Sequence, residues 1–256
     1  MSTHQTITSM PPRPATWATL FAAAAVSVTL SATVPVGVSA QDFTDARDLV
    51  AASYENSGGA KWDAVKTMVQ SSTMTINAPQ GDLTGSAKMT FLFPGYLHVR
   101  MLLDIDDDSG MPMGITQVMM PDSGYAQSAQ GTQSLPGGQA PDSPNEDADL
   151  LAEDGPNLSL EKADLNGNAV YKVTVETEDD TTSNYYDFES LLKVAKEVPT
   201  PAGAAWIYYD DYKDVDGLML PHKITQEAFG GMTQVMTIRS IELNPEIDKA
   251  ALFGAN

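Results

Sequence analysis

The chain has 256 residues, with 34 acidic against 14 basic side chains, a formal net charge of −20 and no cysteine. A surface of that sign repels phosphate backbones and anionic headgroups, so nucleic acid is not expected as a partner. Without cysteine there is no disulfide framework, and the fold must rest on burial.

Residues 1–40 read as an export signal. One cation, Arg13, precedes an apolar stretch over 15–34 that includes Leu20, Phe21, Val26 and Leu30; Met10 offers a second start and a shorter leader. Pro35, Gly37 and Val38-Ser39-Ala40 then lead to Gln41 in the small-residue pattern a signal peptidase accepts. The stretch is also long enough to serve as an uncleaved anchor. Thr and Ser dilute its apolarity, and no Cys follows it for lipid attachment. The expectation is a signal peptide over 1–40 and one domain over 41–256, periplasmic and not membrane-spanning once released.

The domain opens with a helix over 44–56, where Ala46, Leu49, Val50 and Ser53 share a face, Asp42 or Thr44 can cap, and Gly58-Gly59 stops it. Trp62 follows in a short link. From there the apolar period is two. Met68, Met74 and Ile76 line one side of 67–77, and Met89, Phe91 and Phe93 one side of 87–93. Past Pro94-Gly95 the odd positions Leu97, Val99, Met101 and Leu103 are apolar again, and a proline there implies a bulge, kink or strand break. Two further strands are expected over 115–120 and around Tyr125. Residues 130–156, rich in Pro, Gly, Ser and acids, read as a long loop or flap with a short helix over 145–153. Strands resume over 158–163, 169–177, 183–188, 191–198, 205–212, 218–228 and 232–243, with a hairpin signal at Asn166-Gly167. Roughly ten short strands without a fixed repeat suggest a barrel or a strongly curved sheet.

Candidate chemistry is sparse. Asp104, Asp106 and Asp108 alternate as calcium ligands do, but Ser109 and Ile115 stand where an EF-hand loop needs Gly and Glu, and Asp-rich Ser-Gly segments are ordinary turns. His98 and His222, the two histidines after residue 40, have no ligand partner at metal spacing and are expected to face solvent. No Gly-x-Ser-x-Gly elbow occurs. Acids are abundant enough for a glycosidase pair, but abundance is no evidence of one. No enzyme activity, cofactor or metal is expected. Eleven methionines lie beyond residue 40; they fill irregular cores, and they also line cavities for apolar ligands.

Several segments resemble the LolA/LolB-like lipoprotein-carrier superfamily of outer-membrane lipoprotein-sorting proteins. They are Tyr54-Glu55-Asn56-Ser57-Gly58-Gly59 with Trp62, the run from Phe93-Pro94-Gly95 through Arg100, Tyr185-Tyr186-Asp187 with Leu191-Leu192, Asp211-Tyr212-Lys213-Asp214-Val215-Asp216-Gly217-Leu218-Met219-Leu220-Pro221, and Asn244-Pro245-Glu246-Ile247-Asp248 with Leu252-Phe253. The resemblance spans 41–256. It implies an α+β, mainly antiparallel β fold: an open half-barrel with helices over its concave face and an apolar cavity that takes lipid, acyl chains or acylated lipoprotein. The family's carrier has an arginine before the strand proline, tied to lid closure; here that position is Phe93. Lipid or lipoprotein binding is therefore the expectation, rather than transfer coupled to a transporter. Strand parity nominates Met89, Phe91, Phe93, Leu97, Val99, Met101, Tyr171, Val173, Val175, Met236 and Ile238 as the cavity lining. The alternative is a non-catalytic interaction or envelope-sensor module with a solid core, whose partner is an envelope protein.

Overall fold

The computed structural model describes residues 42–254 except 79–80, 105–112, 179, 201–202 and 229–230. The expected signal segment and most of the Asp104–Asp108 run lie outside the described residues.

Helix α1 (Ala46–Ser57) buries Ala46, Leu49, Val50 and Ser53 as its spacing predicts. Its cap is Asp45, whose carboxylate accepts the Arg47 and Asp48 amides, and not Asp42 or Thr44. Gly58, at φ 135°, ends it where a Cβ would stand 2.4 Å from the Leu218 side chain, so glycine serves both backbone and packing there. A 3-10 turn over Gly59–Ala64 carries Trp62 into the core.

Thirteen strands follow among the described residues: β1 (Thr67–Ala78), β2 (Gly81–Leu92), β3 (Tyr96–Asp104), β4 (Met113–Met119), β5 (Gly124–Ser128), β6 (Gly131–Leu135), β7 (Asn157–Leu165), β8 (Asn168–Glu176), β9 (Thr181–Asp187), β10 (Lys193–Thr200), β11 (Gly203–Val215), β12 (Leu218–Ala228) and β13 (Met232–Leu243). Short helices α2 (Glu146–Leu150) and α3 (Lys249–Phe253) complete the elements among the described residues. All strands belong to one open, curved antiparallel sheet, ordered β6-β5-β4-β3-β2-β1-β13-β12-β11-β10-β9-β8-β7. The chain starts in the middle of the sheet, runs outward to one edge, crosses to the other and returns to pair β13 with β1.

That crossing fixes the architecture. Residues 136–156 must join β6 and β7, the two opposite edges. Fully extended they reach about 70 Å, while twelve strand-to-strand steps across a flat sheet span about 60 Å. With α2 shortening the segment, a flat sheet would leave it nearly taut. Curvature brings the edges together, and the segment becomes a strap across the mouth.

The Pro94-Gly95 expectation of a strand break holds in a specific form: the two sit in the turn of the β2–β3 hairpin, so Leu92 pairs with Tyr96 and the odd parity persists on both sides. Strand β6, inside the stretch read as loop, was not expected.

Candidate functional site

Strand register assembles the inward face row by row. Phe91 pairs with Met68 on one side and Leu97 on the other, and Leu97 with Met119. The next row runs Ile241, Gln70, Met89, Val99 and Gln117. Beyond it lie Ile238, Ser72, Ala87, Met101 and Ile115, and then Tyr209, Ile224, Met236, Met74, Gly85 and Leu103. Of the predicted lining, Met89, Phe91, Leu97, Val99, Met101, Met236 and Ile238 fall in one core cluster, with half-buried Phe93 packed against it and stacked on Phe91 at 5.9 Å. Tyr171, Val173 and Val175 belong to a second cluster, under α1, with Leu49, Val50 and Tyr186. Tyr171 lies between Phe188, stacked at 4.1 Å, and the edge of Phe43 at 5.7 Å.

These side chains are packed closely. Phe91 and Val173 have no exposed surface and Met101 has 2 %. Two polar groups interrupt the apolar face with no hydrogen-bond partner at any side-chain N or O: Gln70, and Asn184 between Val173 and Lys196.

The strap covers this face and is held by polar contacts. Asp147 of α2 is buried, accepting Ser53 Oγ at 2.8 Å and Tyr186 Oη at 2.9 Å and pairing with Lys193 Nζ at 2.8 Å. Lys193, 2 % exposed, also reaches Glu146 at 3.1 Å, and Lys196 binds the other Glu146 oxygen. Asn145 caps α2 and donates to Ser57 Oγ at 3.1 Å, the hydroxyl that also receives Trp62 Nε1. The Arg47 guanidinium spans the strap carbonyls of Leu150, Ala152 and Pro156 at 3.3, 3.3 and 3.4 Å. Burial opposes the charge on Glu146, yet Lys193 and Lys196 outweigh it and hold the carboxyl down at about 2. Burial likewise opposes the Lys193 charge, and Asp147 with Glu146 reverses that and raises its pKa well above the ordinary value. Burial, then the Asp147 charge, pushes Tyr186 well above 10. At neutral pH the latch is a charged carboxylate–ammonium network with a neutral phenol.

Little in the chain's local pattern announces this network. Lys193 stands alone in the apolar run Leu191-Leu192-Lys193-Val194-Ala195, a signal that a buried charge has a partner, but Glu146 lies 47 positions away. The cation that pairs with the strap comes from β10, while Phe93 stacks on Phe91.

His222 corrects the reading of the histidines. It is buried, with Nδ1 3.0 Å from the Leu220 carbonyl oxygen, because even positions of β12 turn inward with Leu218, Leu220 and Ile224. His98 is half-buried on the outer face, edge-on to Phe253 of α3 at 6.3 Å, and burial lowers its pKa, with Arg100 adding to the effect. Among the described residues, no three His, Cys, Asp or Glu side chains are grouped to hold a metal.

A groove of about 500 Å³ opens on the opposite face, lined by Val170, Val194, Tyr208, Asp187, Asp210 and Glu227 among others. Two of its carboxylates are engaged structurally: Asp187 accepts the Glu189 and Ser190 amides, and Asp210 pairs with Lys223.

An open antiparallel half-barrel with its concave face strapped is a LolA-like fold. The solved structures it resembles include a DUF1329 family protein from Desulfovibrio piger, 12% identical over 80% of this chain and 95% of that one, with a TM-score of 0.55. A LolA superfamily protein from Nitrosomonas europaea is 12% identical over 80% and 96%, with a TM-score of 0.54. A Vibrio parahaemolyticus domain described as outer membrane lipoprotein-sorting is 10% identical over 81% and 95%, also at 0.54. No family sequence model and no curated protein sequence matches the chain. No helix among the described residues is long and apolar enough to cross a membrane.

Proposed function

We propose that this chain is an exported, non-enzymatic periplasmic protein that holds an acyl chain, free or attached to a lipoprotein, between the concave face and the strap. The carrying observation is a contrast: the floor is built of Met, aliphatic and aromatic side chains, while the strap gives Ala140, Leu150 and Leu151 to those clusters and is fastened beside them by ion pairs and hydrogen bonds. Polar contacts exchange for water at a modest net cost, about 1 kcal/mol per hydrogen bond. An acyl chain of sixteen carbons taking the strap's place on the floor gains on the order of 10 kcal/mol. The strap's polar contacts together come to the same order, so the cost of opening is offset by what it admits. The flexible, polarisable methionines of the floor, among them Met89, Met101 and Met236, suit a ligand of variable shape.

Native mass spectrometry of protein purified from a bacterial periplasm tests this. A retained lipid-sized mass is expected; a bare polypeptide that also takes up no acyl probe contradicts it.

A second reading draws on the close packing of the same side chains. With the interior permanently solid, the strap and acidic surface would instead contact an envelope protein. It predicts no acyl uptake and a partner whose binding weakens with salt.

A further inference from the structure

We propose that Gln70 is the polar recognition element of the acyl site, and that its ligand is an acyl chain whose head is a primary amide. This rests on the half-barrel reading above and adds the chemistry of the ligand's head.

Gln70 lies at the inward face of β1 with no exposed surface, and neither Nε2 nor Oε1 has a hydrogen-bond partner. Its cross-strand neighbours are Met89 and Ile241. A side chain of nearly the same volume without polar atoms, such as methionine, would suit this position, and methionine already stands beside it. Buried amides without partners are rare because each orphaned atom forgoes the hydrogen bond it had in water. Asn184 is orphaned too, but it borders Lys196 and the ion network. Gln70 has apolar side chains on both adjoining strands, and the polar Ser72 two residues along donates to the Ala87 carbonyl instead.

The two free atoms specify a complement. Oε1 needs a donor and Nε2 an acceptor, close together. A primary amide presents both on one edge; a trans secondary amide turns them to opposite edges, and an ester presents acceptors only. A carboxylate presents acceptors only and must also shed its hydration as a charge. Along the same row Met89 and Val99 separate Gln70 from Gln117, an apolar floor about 14 Å wide at the ordinary strand spacing. The acyl tail has a bed beside the amide.

The test compares palmitamide with methyl palmitate, each displacing a dansyl-labelled fatty acid from the full protein. Expected is a preference for the amide on the order of tenfold, erased in Gln70→Met and Gln70→Leu, both of which still bind the dansyl probe. Equal displacement by amide and ester in the wild type, with the probe bound, overturns the Gln70 assignment and leaves the half-barrel reading standing. A preference that survives in the variants overturns it likewise. Failure of the probe to bind any of the proteins overturns the half-barrel reading and this inference with it. Thermal melts give an independent arm: both variants are expected to melt no lower than the wild type. A clear drop in both shows that the amide serves the fold through buried water, and contradicts the proposal.

Discussion

Lys193 is the residue on which the strap's attachment turns. It brings a charge into the interior from an apolar run, and Asp147 and Glu146 meet it there. Removing one partner of a buried pair leaves the other uncompensated, which costs more than the pair itself contributes. Lys193→Met should therefore destabilise by about 3–5 kcal/mol, read from chemical denaturation. Lys193→Met combined with Asp147→Leu should recover a large part of that loss, because it removes the stranded charge as well. A double variant no better than the single would show that the pair is not coupled. Glu146 adds a pH dependence of defined sign. Its carboxyl lies at about 2 in the fold against an ordinary 4.5, so its stabilisation is fully present above 4.5 and is lost as pH falls toward 2. Protease nicking within residues 136–156 should rise across that window in the wild type, and Glu146→Gln should flatten the response. A strap equally protected at pH 5 and pH 3 contradicts it.

Among the elements, α1 is the wall on which both the strap and the β8–β9 floor lean. Leu49 has no exposed surface and packs in the cluster with Tyr171 and Val173. Leu49→Ala should cost about 2–5 kcal/mol by leaving a cavity there, and Asp45→Ala about 1 kcal/mol by uncapping the helix; equilibrium unfolding measures both. The helix was legible because its apolar spacing and glycine stop are local. The inward residues of β2, β3, β8 and β13 were legible for a similar reason: strands one side apolar can take only one register without exposing the core. Strand β6 was not, since four of its five residues, Gly131 to Ser134, are exposed and carry no alternation. The strap's role could not be read either. That residues 136–156 join opposite edges follows from the pairing of β13 with β1, a contact remote in sequence. His222 was read as solvent-facing, although its even parity matches the buried Leu218, Leu220 and Ile224.

For the molecule as a whole, the sheet is an apolar trough inside a strongly acidic shell, with one covalent strap over the opening. The formal net charge of −20 sets the company it keeps: anionic surfaces are repelled, and a ligand must be attracted by the trough, not by the shell. On the proposed function, an acyl chain enters the trough when the strap moves aside. Ser57 and Asn145 touch across that junction at 3.1 Å, and the chain has no cysteine of its own, so a Ser57→Cys/Asn145→Cys pair can tie the strap to α1 reversibly. Titration with a dansyl-labelled fatty acid then decides. The wild type and the reduced variant should bind the probe saturably at one per chain, and the oxidised variant should not bind until dithiothreitol is added. Binding by the oxidised protein equal to the reduced, or no binding by either, would contradict the claim.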